Sequence, residues 1–470
     1  MSKIYDLTHG SIFKKIMAIA LPVLLTSISQ MAYNLTDMFW VGQVDTIGFS
    51  ESDALSAIGT AGYILWFSFG LILIGKIGTS VKVSHYAGDK NLAGVKKYAS
   101  NGLMLEIIFG LVTSAVILLF RAPLISMFGN NGEVVYNDSI RYLAITGGFY
   151  FVQFITSGFT AINEGLGKTY LNLLILPIGL IINMILDPIL ILVLGLGVTG
   201  AALATVIAQI CTLLIYVLVY LLSKQKVFSL HPANFDSKAI KDIIRIGFPA
   251  GLQSMFFTAC SIIIGIMVYG FGTAVFAAQR VGSQIEQFTW MIAGGFQTAL
   301  TVFVGQNYGA RDYVRIRQGT AMLAAILIPY SVVITIIFFF KSEFLIRLFL
   351  NSDETTVAYG AEYLKIISFS QIFMMLEGIG SGLFNGVGKT KIPSIFGIIG
   401  NVMRIPLSFL MIGSMAQVGI WWALNISDGF KGMALLIGGV ILINNMNKLI
   451  KKNTTIPNVK PSETDGLGVV

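Results

Sequence analysis

GLGKT at Gly165–Thr169 recurs as GVGKT at Gly386–Thr390, an offset of 221 residues. Working outward from this pair, Tyr142-Leu143 recurs as Tyr363-Leu364 and Gly88 as Gly309 at the same offset. Pro22 pairs with Pro249 at an offset of 227, as expected if the first half carries six extra residues in its loop near 45–53. Repetition at a fixed period is the mark of a duplicated structural unit. The chain therefore reads as two homologous halves divided by a polar segment at about 223–239.

What each half contains follows from composition. The 470 residues are 55% hydrophobic and only 11% charged, and the mean hydropathy is +0.80. A soluble domain with so little charge would lack the polar groups to cover its surface. The apolar residues fall in blocks of roughly 20 to 30, each long enough to cross about 30 Å of hydrocarbon as a helix. Six blocks fall in each half. The first follows Lys3, Lys14 and Lys15 and runs apolar from Ile16 past Met31, too long for the core of a cleaved signal, so it reads as a membrane helix. The expected fold is an all-α integral membrane protein of twelve transmembrane helices in two six-helix lobes. The divisions are 1–222 for the first lobe, 223–239 for the interlobe loop, 240–450 for the second lobe and 451–470 for a disordered polar tail. With an even number of helices per lobe, the copies enter the membrane in the same direction, a parallel repeat with substrate bound near mid-depth.

The net charge of +8 does not point to nucleic acid, because Lys82, Lys90, Lys96, Lys97, Lys168, Lys238, Lys241, Arg311, Arg315 and Lys389 all fall at one side of the bundle. Basic residues gather on the cytoplasmic side of membrane proteins, which places both termini in the cytoplasm of a cell-membrane protein. The GKT triplets are not phosphate loops: that motif needs a glycine five residues before its last, where Ile162 and Leu383 stand. With no nucleotide site, uphill transport would draw on an ion gradient. Cys211 and Cys260 lie inside apolar helices without CxxC spacing, and His9, His85 and His231 fall at loops or helix ends, so neither a disulfide framework, a resident cofactor nor metal catalysis is expected.

Carboxylates inside apolar spans are costly and mark ion or proton paths. Asp37 lies in the outer half of the first span, and Asp187 in the fifth span lies at a similar or slightly deeper level. Thr205 in the sixth reaches the same depth. Asn183 precedes Asp187 by four residues and shares its helical face. Asp37, Asn183, Asp187 and Thr205 thus form a candidate all-oxygen site in the first lobe, suited to Na⁺ or, through carboxylates sharing a proton, to H⁺. Gln30, Tyr33 and Asn34 continue this polar strip along the first span and are the candidate lining of a wet substrate cavity; interhelical hydrogen bonding is the structural alternative. Pro22 is a helix bend below Asp37. In the second lobe Arg280, Glu286 and Glu377 form a further candidate polar site. Arg280 is expected to pair with Glu286, Lys365 and Arg404 with Glu377, and Lys76 with Glu106 in the first lobe.

In order and spacing the chain resembles the multidrug and toxic compound extrusion (MATE) family from about Phe13 to Leu449. The matching marks are ALP at Ala20–Pro22, D-x-x-x-x-G at Asp37–Gly42, A-x-G at Ala57–Gly59, YAGD and NYGAR after the second and eighth spans, the paired G-x-G-K-T turns and GIW at Gly419–Trp421. The resemblance implies two lobes facing each other in a V and secondary active efflux of small amphipathic, often cationic organic compounds in antiport with H⁺ or Na⁺. It implies the same first-lobe coupling set, Asp37, Asn183, Asp187 and Thr205, and Pro22 as the bend proline. The family's other subgroup uses a glutamate in the seventh span, where Phe257 stands here. The competing readings are a lipid-linked or polysaccharide flippase of the same superfamily and, more distantly, an intramembrane enzyme, against which stands the lack of a GxSG-type nucleophile turn.

Overall fold

The computed structural model describes residues 4–41, 44, 50–129, 132–223, 226–231, 234–349 and 354–454, and among them every regular element is helical. The first lobe comprises α1 (Ile12–Val41), α2 (Glu51–Gly88), α3 (Leu92–Ser126), α4 (Glu133–Gly148), α5 (Tyr150–Gly165), α6 (Thr169–Pro188) and α7 (Gly197–Leu222). The second comprises α8 (Ser237–Tyr269), α9 (Thr273–Gly309), α10 (Tyr313–Phe340), the short α11 (Ser342–Arg347), α12 (Glu354–Ile367), α13 (Gln371–Gly386), α14 (Lys391–Met415) and α15 (Gln417–Thr454). Eleven helices are long and apolar enough to cross a membrane, α12 and α13 counting together, and the pair α4 and α5 makes the twelfth span with a bend of 41°. Leu119, Leu222 and Leu410 stand exposed on the outside of the bundle, where hydrocarbon would meet them.

The fourth span of each lobe is broken. In the first lobe Gly147-Gly148 interrupts it before Tyr150, and glycine pairs kink helices because they supply no side-chain packing to hold the turn. In the second lobe, at the matching position, Ser368 and Ser370 turn their hydroxyls onto the carbonyls of Lys365 and Ile367 and tighten the chain into a single turn of 3₁₀ helix. The fifth span ends differently. Pro188 has no N–H to donate, and the chain beyond it widens into a π turn at Ile189–Val193, immediately after Asp187.

Equivalent local chemistry recurs at the offset read from the sequence. Asn91 caps α3 by accepting from the Gly94 N–H at 2.8 Å, and Asp312 caps α10 by accepting from Arg315 at 2.9 Å. The residues just before these caps, Lys90 and Arg311, both adopt the left-handed conformation, at φ 56° and 58°. Gly167 and Gly388, at φ 72° and 80°, supply the same hand in the two GKT turns without a Cβ penalty. The threonine of each turn reaches the carbonyl three residues before a proline inside a helix, Pro22 or Pro249: Thr169 Oγ1 donates to Ile19 and Thr390 Oγ1 to Ile246.

The lobes meet along α2 and α8 and along α1 and α9. Glycines permit the approach: a Cβ on Gly247 would lie 1.7 Å from the Ile74 carbonyl oxygen, and one on Gly78 would lie 2.2 Å from that of Ile243. Contact continues to the end of the bundle that bears the GKT turns, where Gly88 lies against the backbone of Gln306 and Gly309 against that of His85. Here the segment before α1 also bridges the lobes. Tyr5 N–H donates to the Leu166 carbonyl at 2.9 Å, Leu7 N–H to Gln306 Oε1 at 3.1 Å, and the Leu7 carbonyl accepts from Arg315 Nε at 3.0 Å. Leu7 is fully buried in a core with Phe296, Phe303 and Leu323 of the second lobe.

Candidate functional site

Three helices of the first lobe turn polar faces toward one another. On α6 these are Asn172, Asn183 and Asp187; on α7, Thr205, Gln209, Thr212 and Tyr216 recur at helical spacing; on α5, Gln153, Thr156 and Thr160 do the same. A polar stripe is costly against lipid, so these helices face inward and enclose a cavity of about 320 Å³, which also reaches Gln30 of α1. Asn183 and Thr205 line it. Asp187 is fully buried, and its Oδ1 accepts from Asn183 Nδ2 at 2.5 Å, one helical turn away. Thr205 Oγ1 donates to the Ala201 carbonyl at 3.0 Å. Asn183, Asp187, Thr205 and Gln30 are therefore brought to one region of the lobe. The backbone of α1 carries Asp37, Tyr33 and Asn34, whose side chains lie outside the described residues. Pro22 sits inside α1 and its carbonyl accepts from Thr26 Oγ1 at 2.8 Å.

Below this cavity the polar contacts continue. Tyr216 OH donates to Asn172 Oδ1 at 3.1 Å, which also accepts from Asn163 Nδ2 at 2.8 Å. Lys76 on α2 pairs with Glu164 at 3.1 Å, not with Glu106 as expected from the sequence. The reason is helical phase. Gly75 lies directly against the Glu106 carboxyl, so the next residue, Lys76, leaves α2 about 100° away and reaches α5 instead. Glu106 is fully buried, and neither carboxyl oxygen has a hydrogen-bond partner among the described residues.

The second lobe holds a buried ion network with pairings other than those expected. Arg404 on α14 contacts Asp428 on α15 at 2.6 Å and donates through Nε to Ser427 Oγ at 3.1 Å. Lys431, 2% exposed, bridges Asp428 at 2.9 Å and Glu377 on α13 at 3.0 Å. Glu377 thus takes Lys431, and neither Lys365 nor Arg404 forms its ion pair. Glu286 accepts from Trp290 Nε1 at 3.2 Å and Tyr363 OH at 3.1 Å. Arg280 does not pair with it, because residues six apart on a helix point about 120° from each other. Arg280 instead reaches a cavity of about 500 Å³ between the lobes, whose walls include Tyr63 and Trp66 from α2 and Phe257, Glu286 and Trp290 from the second lobe. A smaller cavity of about 240 Å³ lies behind Phe257 and Trp290 and is lined by Glu377 and Lys431.

The α5 polar face, the continuation of the α7 face beyond Thr205 and the tie from Tyr216 to Asn172 were not singled out from the sequence. Their signal was present as polar recurrence at positions 205, 209, 212 and 216. Among the described residues no group of three or more His, Cys, Asp or Glu side chains is placed to hold a metal ion.

The sequence profile of the MatE family matches residues 22–189 and again 249–410, once in each lobe. The chain is 26% identical over 427 residues to the probable multidrug resistance protein NorM of Thermotoga maritima, covering 87% of this chain and 88% of that protein. It is 24% identical over 442 residues to the multidrug export protein MepA of Staphylococcus saprophyticus, covering 93% and 95%. Its fold superposes with a TM-score of 0.87, at 21% identity, on a multidrug resistance MATE family transporter of the MOP superfamily solved in an outward-facing conformation, over 95% of this chain and 99% of that one. Twelve spans in two homologous lobes, with a separate match to the family profile in each, identify this chain as a member of the MatE family of multi-pass membrane transporters.

Proposed function

We propose that this transporter exports small amphipathic, often cationic organic compounds in exchange for inward-moving H⁺ or Na⁺, with Asp37, Asn183, Asp187 and Thr205 as the coupling site. The observation that carries this reading is the buried Asp187, held by Asn183 beside a polar cavity that extends to α1. A carboxylate buried at this depth serves structure poorly and an ion path well. Relatives over most of the chain are named for multidrug resistance and multidrug export. The aromatic walls of the central cavity, with Glu286 among them, suit a flat cation. The end bearing the GKT turns is taken as cytoplasmic because the basic loop residues gather there. With the lobes joined at that end, the cavity opens outward.

In this mechanism, ion binding at Asp37 and Asp187 changes the setting of α1 on its Pro22 bend, and substrate leaves outward. A ligand shifts the lobes only through its unequal affinity for their two arrangements. Neutralising either carboxylate therefore removes coupling while leaving the fold intact. The test is ethidium efflux from proteoliposomes under an imposed Na⁺ gradient and, separately, a pH gradient, for wild type, Asp37→Asn and Asp187→Asn. Gradient-driven efflux abolished in both variants supports antiport through this site and names the ion. Undiminished efflux in a variant removes that residue from coupling, and no efflux by folded wild type under either gradient favours the flippase alternative.

A further inference from the structure

The small cavity behind Phe257 and Trp290 is not a copy of the first-lobe cavity. At the repeat offset, Thr156 becomes Glu377, Glu164 becomes Asn385 and Asn183 becomes Arg404. Three residues that line it, Asn385, Ser394 and Asn401, each carry a buried oxygen, Oδ1, Oγ and Oδ1, with no hydrogen-bond partner among the described residues. These residues are 6%, 2% and 2% exposed. Unpartnered groups buried to this degree are uncommon in native proteins and mark places where something else completes the bonding.

Glu377 stands over the same cavity. Its partner Lys431 is shared: the ammonium also contacts Asp428, whose same oxygen already holds Arg404. Lys431 can therefore leave Glu377 and remain paired, whereas Glu377 then needs another cation. At about 240 Å³ the space admits a head group and not a whole drug-sized molecule, and it adjoins the cavity of about 500 Å³ through the shared wall of Phe257 and Trp290.

We propose that this pocket is a head-group subsite for organic cations that carry N–H donors, of the amidinium, guanidinium or primary ammonium class, and that it discriminates against cations without such donors. The head group's charge meets Glu377 as Lys431 moves wholly onto Asp428, and its N–H groups are accepted by Asn385, Ser394 and Asn401. A phosphonium or quaternary ammonium ion brings charge but leaves those acceptors unpaired, and a site built to hydrogen-bond its ligand rejects an analogue that lacks the bonds. This inference rests on the reading that the protein handles organic cations.

The test measures equilibrium binding to the purified full-length protein in nanodiscs by titration calorimetry, using the bis-amidine dye DAPI and, in parallel, tetraphenylphosphonium. Wild type, Glu377→Gln, Ser394→Ala and Asn401→Leu are compared after thermal unfolding shows that each is folded. The subsite requires DAPI binding to weaken about tenfold or more in Glu377→Gln and severalfold in Asn401→Leu, with tetraphenylphosphonium within about twofold of wild type throughout. Should Glu377→Gln fail to fold, Ser394→Ala and Asn401→Leu carry the same comparison. DAPI binding unchanged in the folded variants, or both probes weakened alike, overturns the subsite, the first outcome meaning that water alone fills the pocket. Failure of wild type to bind either probe overturns the cation-export reading and the subsite with it.

Discussion

Arg404 and Asp428, on neighbouring helices of the second lobe, close an ion pair of 2.6 Å in which both side chains are less than a tenth exposed. A buried pair is weak evidence of net stabilisation, but removing one partner strands the other charge away from water, at about 3–5 kcal/mol. Asp428→Asn strands Arg404, while Lys431 keeps only Glu377, and the variant is expected to lower the thermal unfolding midpoint sharply. Combining Arg404→Met with Asp428→Leu is expected to recover much of that loss, because neither charge then remains to be desolvated. Fluorescence-detected unfolding of the purified variants distinguishes the two; equal losses would show that the pair contributes mainly through packing.

At the end bearing the GKT turns the lobes are held backbone to backbone. A Cβ on Gly309 would lie 1.9 Å from the His85 carbonyl oxygen and one on Gly88 1.8 Å from that of Gln306, so no rotamer change relieves the clash. Gly309→Val is expected to push α2 and α9 apart there. Amide hydrogen exchange at 85–89 and 306–310 should accelerate in this variant, while exchange in the broken fourth spans stays near wild type.

Leu7 acts at the same place through its side chain and its peptide groups. Leu→Ala at a fully buried site costs about 2–5 kcal/mol, and here the loss falls on the closure of the segment across the two lobes. Leu7→Ala is expected to raise exchange at Leu7, Gln306 and Asn307 and to ease opening of this end. Preceding it, Asp6 is drawn upward by partial burial, but hydrogen bonds from the Thr8 side chain and N–H and from His9 outweigh that and hold its carboxyl at about 2. Since the folded value lies below the unfolded one, this contribution is complete above about pH 4 and is lost as pH falls through about 2. Exchange protection of the segment should hold from neutral pH to about 4 and decline only below it.

Glu106 and Glu164 lie in the same lobe but differ in what removing them should do. Glu164 balances Lys76, so Glu164→Leu leaves an ammonium with 29% side-chain exposure unpaired and is expected to destabilise. Glu106 has no hydrogen-bond partner among the described residues, and an unsatisfied buried polar group costs about 1–3 kcal/mol. Glu106→Met is expected to hold or raise the unfolding midpoint. A marked fall would mean that the carboxyl is bonded to a group such as an internal water.

How much of this was legible beforehand can be judged residue by residue. Asn183 and Asp187 were found on one face because residues four apart on a helix share it whatever the helix packs against. Thr205 was matched to them by depth, which span length fixes within about a turn, and Gln30 was read from its place on the polar strip of the first span. Asn91 and Asp312, as equivalent caps, follow from the same repeat that paired the GKT turns. The ion pairs were less legible. Glu106 with Lys76 on consecutive spans, and Glu286 with Arg280 six residues before it, were sensible partners by charge, yet Lys76 reaches α5, and Glu286 is held by Trp290 and Tyr363.

The sequence by itself determined the class of this protein, its twelve spans and its duplication, since these depend on apolar block length and on identity at a fixed offset, quantities that exist along one dimension. It also determined which polar residues fall within the apolar spans. Only the tertiary structure decided which of them meet, because a side chain's azimuth about its helix and the rotation of one helix against another are set by packing across the bundle. A change of one residue turns a contact by about 100°, as Gly75 and Lys76 show. The sharing of Lys431 between Asp428 and Glu377, and the three groups beside it that have no partner among the described residues, arise where α13, α14 and α15 converge.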